Sequence, residues 1–325
     1  MTDPSEKVSP PPASLSCRCW RDLRRTIRLL PPLLLLPWMG SGGMIPFPIQ
    51  GPLIRSEEVK VAEVLDGDTI EVFRSDESRE IIRYLAIAAP EAKTACGEDA
   101  HQYHATLLRG KTVWIEWQEE NGKAARDRDK RLLAYVYRDR ERQDLVALEL
   151  VREGHARIDL RGLTNMTPPD DFRLKWLNPL RQAQRDAAKT RRGCWRKPEW
   201  CGSADLVIAF ITFWGRDEIV ELVNRSEQPV SLEHFTLEDN KKGKPNTISF
   251  QRLIEPSLRI LPPQAVFRVH SGPANSGKKP CVMREHSRKL DCFWTNKFIW
   301  DNGGDRAVLK NAKGDVICAY QYKGR

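Results

Sequence analysis

At 325 residues the chain is long enough for two domains, each with its own core. A formal charge of +9 favours an anionic partner such as nucleic acid or an acidic surface, although charge alone supplies steering rather than chemistry. No stretch after the first 50 residues is apolar over the roughly 20 residues that a spanning helix needs, which excludes a helical membrane span there.

The opening segment "CRCWRDLRRTIRLLPPLLLLPWMGSGGM" carries a basic stretch (Arg18, Arg21, Arg24, Arg25, Arg28), an apolar run from Leu29 to Met39, and small residues from Gly40 to Gly43. That order is the order of an export signal. The run is too short to span a bilayer, and Pro31, Pro32 and Pro37 interrupt it. Residues 1–50 are therefore expected to be a leader and linker, and the product to be secreted, periplasmic or at the cell envelope. Translation from Met39 or Met44 would instead give a cytoplasmic product. Of eight cysteines, Cys17 and Cys19 would leave with the leader, and the six that remain fit disulfides in an exported chain. Cys281 and Cys292 share one loop-rich segment and are the first candidate pair. Cys96 with Cys194 or Cys201 is the second.

From residue 56 the pattern turns to strands: "VKVAEVLDGDTIEVF", "REIIRYLAIA", "TVWIEWQEE" and "RLLAYVYRD", with the helical "GEDAHQYHATLLRG" between. Within "VLDGDTIEV" a hairpin turn accounts for Asp66 and Gly67. It leaves Asp68 and Thr69 for some other use. His101 and His104 lie three apart on one helical face and are expected to be solvated, since no further metal ligands follow at metal spacing. Two helical tracts come next, "DLVALELVREGHARI" with Gly154 as terminator, and the basic "PDDFRLKWLNPLRQAQRDAAKTRRGCW", expected to break at Pro179. Five strands with three helices predict an oligonucleotide-binding type barrel over 56–197, of α+β class. From 204 to 325 the strands are short, separated by turns and free of helical period, which predicts an all-β sandwich. The expected boundary is "RKPEWCGSAD".

Arg83 inside a strand, Glu91 behind Pro90, and Arg131 heading another strand suit phosphodiester chemistry. A carboxylate can bind metal or position water, and guanidinium groups neutralise charge growing on phosphate. With "VLDGDTIEV", "RYLAIAAPE", "RLLAYVY", "LVREGHARI" and the helix closing at "GCW" in register, residues 59–195 resemble the staphylococcal nuclease (thermonuclease) family. The resemblance implies Asp68 as a calcium ligand (magnesium being the other candidate ion), Asp66 and Thr69 as its supports, Arg83 and Arg131 as phosphate-binding, and Glu91 as the group that orients water. It also implies DNA or RNA as partner. The family pattern has a second calcium-binding aspartate where this chain has Ala88, and its nucleotide-stacking tyrosines have no counterpart in "RIDLRGLTN". "DEIVELVNRSEQPVSLEHFTLED" and "WDNGGDRAVLKNAKGDVI" resemble the lamin tail domain, an immunoglobulin-like sandwich, implying a binding or anchoring module for a protein or cell-envelope partner.

Two functions follow from these residues. One is a secreted calcium-dependent nuclease with a C-terminal anchoring domain. The other is a catalytically weakened, nuclease-like nucleic-acid-binding protein, which the Ala88 substitution favours.

Overall fold

The structure, a computed structural model, describes residues 53–160, 173–213, 215–278 and 280–323. The expected leader, with Cys17 and Cys19, and the "RGLTN" stretch lie outside the described residues.

The first half runs β1 (Leu53–Asp66), β2 (Thr69–Phe73), β3 (Arg79–Tyr84), β4 (Ile87–Ala88), α1 (Ala95–Leu108), β5 (Thr112–Glu120), β6 (Lys123–Ala124), β7 (Leu132–Tyr137), α2 (Val146–Arg152), β8 (Arg157–Ile158) and α3 (Asn178–Lys189). The main sheet is ordered β1-β2-β3-β7-β5-β6, and β1 also pairs with β5, which closes five strands into a barrel. One long strand serves both neighbours: β1 pairs β5 from Leu53 to Lys60 and β2 from Lys60 to Asp66. Bulges between Val61 and Glu63 and between Val64 and Asp66 bend it. The period-two alternation turns Val61, Ile70, Val72, Ile82, Val113, Ile115, Leu132 and Val136 inward, none more than 2% exposed. Each such side chain contributes about 1.5–3 kcal/mol by its burial.

The helices follow from local chemistry. Thr94 caps α1 by accepting the Gly97 N–H on Oγ1 at 3.0 Å. α2 ends before Gly154, whose φ is +75°. A Cβ there would also meet the Arg192 carbonyl oxygen at 2.3 Å, so that glycine admits both the left-handed turn and the returning chain. Pro179 does not break a helix. It sits in the first turn of α3, after a π-helical turn over Arg173–Leu177, where its missing N–H has no partner to lose.

The second half is an immunoglobulin-like sandwich: β9 (Leu206–Thr212), β10 (Glu218–Asn224), β11 (Val230–Ser231), β12 (Thr236–Glu238), β13 (Thr247–Ser249), β14 (Ile260–Leu261), β15 (Val266–Ser271), β16 (Cys281–Arg284), β17 (Lys289–Phe293), β18 (Gly304–Lys310) and β19 (Val316–Lys323). One sheet is ordered β16-β17-β15-β10-β9 and the other β13-β12-β18-β19, with β11–β14 as a small ribbon. Cys281 and Cys292 face each other across β16–β17 and form a disulfide; a second disulfide joins Cys201 to Cys318. Cys96 and Cys194, expected as disulfide partners, are free and buried. The Cys194 thiol donates instead to the Cys96 carbonyl at 3.5 Å.

The two cores do not divide at the linker. Cys96 of α1, Ala187 and Ala188 of α3, and Trp195 pack with the sandwich residues, whereas Phe210 of β9 packs into the barrel core. Gln184 of α3, fully buried, accepts the Ile158 N–H at 2.6 Å and donates to the Ala209 carbonyl at 2.5 Å, linking barrel to sandwich. Beside it Arg185 grips Glu221 with two bonds of 2.7 and 3.0 Å. The third helix of the barrel is thus also a layer of the sandwich.

Candidate functional site

Asp66 pairs with Thr69, so Gly67 and Asp68 are the two loop residues of the β1–β2 hairpin, and Asp68 belongs to the turn rather than to the strand. Neither loop residue takes a positive φ. Gly67 is there for space: a Cβ would lie 2.6 Å from Ala89 Cβ and 2.9 Å from Ala100 Cβ. Asp66 Oδ1 accepts the Asp68 N–H at 2.9 Å, an Asx turn that fixes the loop.

Asp68 is 5% exposed. Thr69 Oγ1 donates to Oδ1 at 3.1 Å. The Ala89 N–H donates to Oδ2 at 2.5 Å, and Arg83 Nη2 lies 3.0 Å from the same oxygen. Burial pushes the Asp68 carboxyl up to about 6, against the pull of the Arg83 guanidinium. Arg83 stands opposite Thr69 in the β2–β3 ladder, and its Nη1 donates to the carbonyls of Tyr84 at 2.9 Å and Ile87 at 3.0 Å. Three acceptors therefore hold one guanidinium in a single orientation.

Behind the hairpin is a polar chain that the sequence did not reveal. His104 is fully buried, and its Nδ1–H donates to the Asp66 carbonyl at 2.7 Å. That assignment makes Nε2 the acceptor of the Tyr84 hydroxyl at 2.8 Å. Burial holds the imidazole down to about 4, and it is neutral at physiological pH. His101 Nε2–H donates to the Val64 carbonyl at 2.9 Å. The two histidines therefore clamp α1 to β1 rather than forming a solvated face. Their i, i+3 spacing was the only visible sign.

The other expected residues are placed differently. Parallel pairing of β3 with β7 sets Arg83 beside Leu133, and Arg131 lies two residues earlier in the same chain. Its guanidinium is turned back into its own loop, with Nε 2.7 Å from Asp127 Oδ2 and Nη2 3.4 Å from Asp129 Oδ2. Within the "ARDRDKR" run Arg131 pairs with the run's own aspartates, whereas Arg126 makes two bonds, of 2.9 and 2.7 Å, to Glu80 of β3. Glu91 is exposed, two residues beyond the Ala89 amide that binds Asp68. Its carbonyl anchors Thr94 through the hydroxyl at 2.8 Å and the N–H at 3.0 Å. The structure thus joins Asp66, Asp68, Thr69 and Arg83 directly, and places Arg131 and Glu91 on the segments that flank them.

This donor set does not fit a resident calcium or magnesium ion. Calcium takes 6–8 oxygen ligands, and magnesium an octahedron of oxygens. Asp68 brings one carboxylate, already shared by a guanidinium, an amide and a hydroxyl. Ala88 stands in the strand opposite Arg157 and offers no oxygen side chain. Among the described residues, no three His, Cys, Asp or Glu groups gather where a metal could sit. In this structure Asp68 serves as counter-charge and anchor for Arg83.

Residues 81–197 match the family described as "Staphylococcal nuclease homologue", and residues 202–324 match "Lamin Tail Domain". The chain is 27% identical to a thermonuclease of Staphylococcus intermedius over 171 residues, covering 51% of this chain and 90% of that protein. It is 40% identical over 78 residues to an uncharacterized endonuclease of Escherichia coli, covering 24% of this chain and 46% of that protein. The chain spans about half the length of the endonuclease it matches.

Proposed function

We propose that this chain, a staphylococcal nuclease homologue domain joined to a lamin tail domain, is an exported nuclease that hydrolyses phosphodiester bonds of DNA or RNA without a resident metal. The observation that carries the reading is the fixed orientation of Arg83, held by Asp68 Oδ2 at 3.0 Å and by two carbonyls, inside a domain of a nuclease family. A phosphate arriving beside Arg83 meets a guanidinium whose direction is already set. Preorganised charge of this kind stabilises the oxygens of the transition state. Arg131 supplies the second positive charge once the phosphate competes with Asp127 and Asp129. Glu91 orients a water and accepts its proton; the water oxygen bonds to phosphorus, the P–O bond to the sugar oxygen breaks, that oxygen leaves as a hydroxyl by taking a proton from solvent water, and a phosphomonoester end remains.

Calcium dependence, which the family resemblance implies, has no support in the donor set around Asp68 and is not part of this reading. Export is supported by the order of charge and apolar residues in the leader, by one disulfide within the second domain and by another that ties it to the boundary segment. The lamin tail domain serves as the module that binds or anchors a protein or envelope partner.

The neutralisation of both arginines by local carboxylates favours a second reading, binding without turnover. A nuclease assay of the full chain on single- and double-stranded DNA and RNA, in calcium, magnesium or EDTA, separates the two. Cleavage that persists in EDTA and falls in Arg83→Ala supports the first. Retained binding with no product in any condition supports the second.

A further inference from the structure

Arg157 is the one cation of the β8 strand, and it is enclosed where barrel meets sandwich. Its guanidinium carbon lies 4.6 Å from the ring centroid of Trp195, 4.0 Å from that of Trp200 and 4.7 Å from that of Tyr320. The rings attract the cation through their faces. They do not accept its N–H groups in the plane of the guanidinium, and Nε and Nη2 are buried without a hydrogen-bond partner. A buried charge without a counter-ion is costly, and proteins ordinarily supply one. Among the described residues no carboxylate does so.

The same arginine lines a cavity of about 500 Å³, together with Glu199, Arg306, Gln321 and the Cys201–Cys318 disulfide. That volume falls within the usual range for small-molecule sites. Two arginines line it against one glutamate, and Gln321 adds an amide side chain. The balance suits an anion with more than one charge. Burial lowers the Arg157 pKa to about 10, which leaves it protonated at neutral pH.

We propose that this cavity binds a phosphate-class oxyanion, with Arg157 as the buried charge that the anion pairs and Arg306 as the second cation at the rim. The anion is inorganic phosphate or the phosphomonoester end of a nucleic acid. The site is separate from the Asp68–Arg83 pair and does not depend on hydrolysis in the barrel.

The test uses the full chain and thermal melts in sodium phosphate against sodium chloride of equal ionic strength. Phosphate is expected to raise the melting temperature saturably in wild type and in Arg83→Ala, and not in Arg157→Met. Without phosphate, Arg157→Met should melt no lower than wild type, because it removes an uncompensated charge. If it fails to fold, Arg306→Ala takes its place, with phosphate affinity expected to fall by about tenfold, the loss of roughly one charge-assisted contact. A 5′-phosphorylated oligonucleotide that binds about tenfold more tightly than its 5′-hydroxyl counterpart, with the difference lost in Arg157→Met, identifies the nucleic-acid end as the source. Equal binding of the two oligonucleotides, with the inorganic phosphate effect intact, identifies free phosphate. The proposal is overturned if phosphate does no more than chloride, if its effect survives Arg157→Met or disappears in Arg83→Ala, or if acetate reproduces it at lower concentration.

Discussion

Ala88 stands directly opposite Arg157 in the β4–β8 ladder, so the position where the family pattern carries a carboxylate is the cross-strand neighbour of an arginine whose Nε and Nη2 are buried without a partner. Directly opposed residues of an antiparallel pair place their side chains on one face, within reach of each other. Ala88→Asp is therefore expected to pair with Arg157 and not to build a calcium site. A cross-strand ion pair of this kind adds about 0.2–1 kcal/mol. Thermal melts should show a small stabilisation that calcium leaves unchanged. A rise in melting temperature that appears only with sub-millimolar calcium would contradict the metal-free reading.

Phosphate binding beside Arg83, as proposed above, is expected to depend on pH through Asp68. The Asp68 carboxyl has its pKa raised by burial to about 6, so it takes up a proton as pH falls through that value. Protonation removes the counter-charge and leaves the Arg83 charge free for phosphate. Affinity for a short non-cleavable oligonucleotide should rise between pH 7 and pH 5 in wild type, and this component should be missing in Asp68→Asn. Because the folded-state pKa lies above the unfolded one, the stability contribution of Asp68 is fully present below about 4 and is lost as pH rises through about 6.

His104 has the opposite sign. Its pKa is held down to about 4 by burial, so it stabilises the fold above its unfolded value near 6.5, and that contribution is lost as pH falls towards 4. The two groups therefore oppose each other between pH 4 and 6 and flatten the stability profile of wild type. His104→Gln should remove the acid-side loss, uncovering a rise in stability on going from pH 6 to pH 5. It should also cost about 1–3 kcal/mol at pH 7, because one of the buried partners, the Asp66 carbonyl or the Tyr84 hydroxyl, loses its bond. Denaturant melts at three pH values measure both effects, and a profile identical to wild type would remove His104 from the account.

Arg83→Ala and Arg131→Ala are each expected to lower turnover by 10² or more, the scale on which loss of one preorganised donor costs about 3 kcal/mol. Their effects on folding should differ. Arg83→Ala leaves Asp68 buried without its cation, whereas Arg131→Ala releases two partly exposed aspartates. A melting temperature lowered in both alike would count against the special burial of the Asp68–Arg83 pair.

The strands were legible because alternation in "IIRYLAIA" or "TVWIEW" is a property of neighbouring residues, and the hairpin was legible from Asp66 and Gly67. What those residues do was less legible. Gly67 is needed for Ala89 and Ala100, 22 and 33 positions away in sequence, and no local pattern announces a close approach of that kind. Asp68 read as a metal ligand from the family resemblance; that it pairs with Arg83 follows from the register Thr69↔Arg83, which no local pattern shows. His104 stood out only by its spacing from His101, and Arg157 only as one letter of "LVREGHARI". Their roles come from burial against elements distant in the chain. The change from helices to strands near Trp200 was legible, yet α3 packs against residues on both sides of it, since an amphipathic helix does not declare how many layers it will cover.

That shared helix leads to the last prediction. Glu221 of β10 is 6% exposed and receives both bonds of Arg185, while Gln184 spans from the Ile158 amide to the Ala209 carbonyl. Breaking one side of a buried ion pair costs about 3–5 kcal/mol, because the other charge stays buried without its partner. Glu221→Ala lies in the sandwich, but it should destabilise α3 and with it the barrel. Full-length wild type should unfold in a single calorimetric transition, and Glu221→Ala should move that whole transition down. A double-mutant cycle with Arg185→Ala should recover much of the loss, since removing both charges removes the uncompensated one. A barrel of residues 53–200 alone would lose Phe210 from its core and the Ala209 carbonyl from Gln184. It is expected to melt well below the full chain. Two separate transitions in the wild type, with only the higher or the lower one displaced by Glu221→Ala, would show that the domains fold independently and that α3 belongs to the barrel alone.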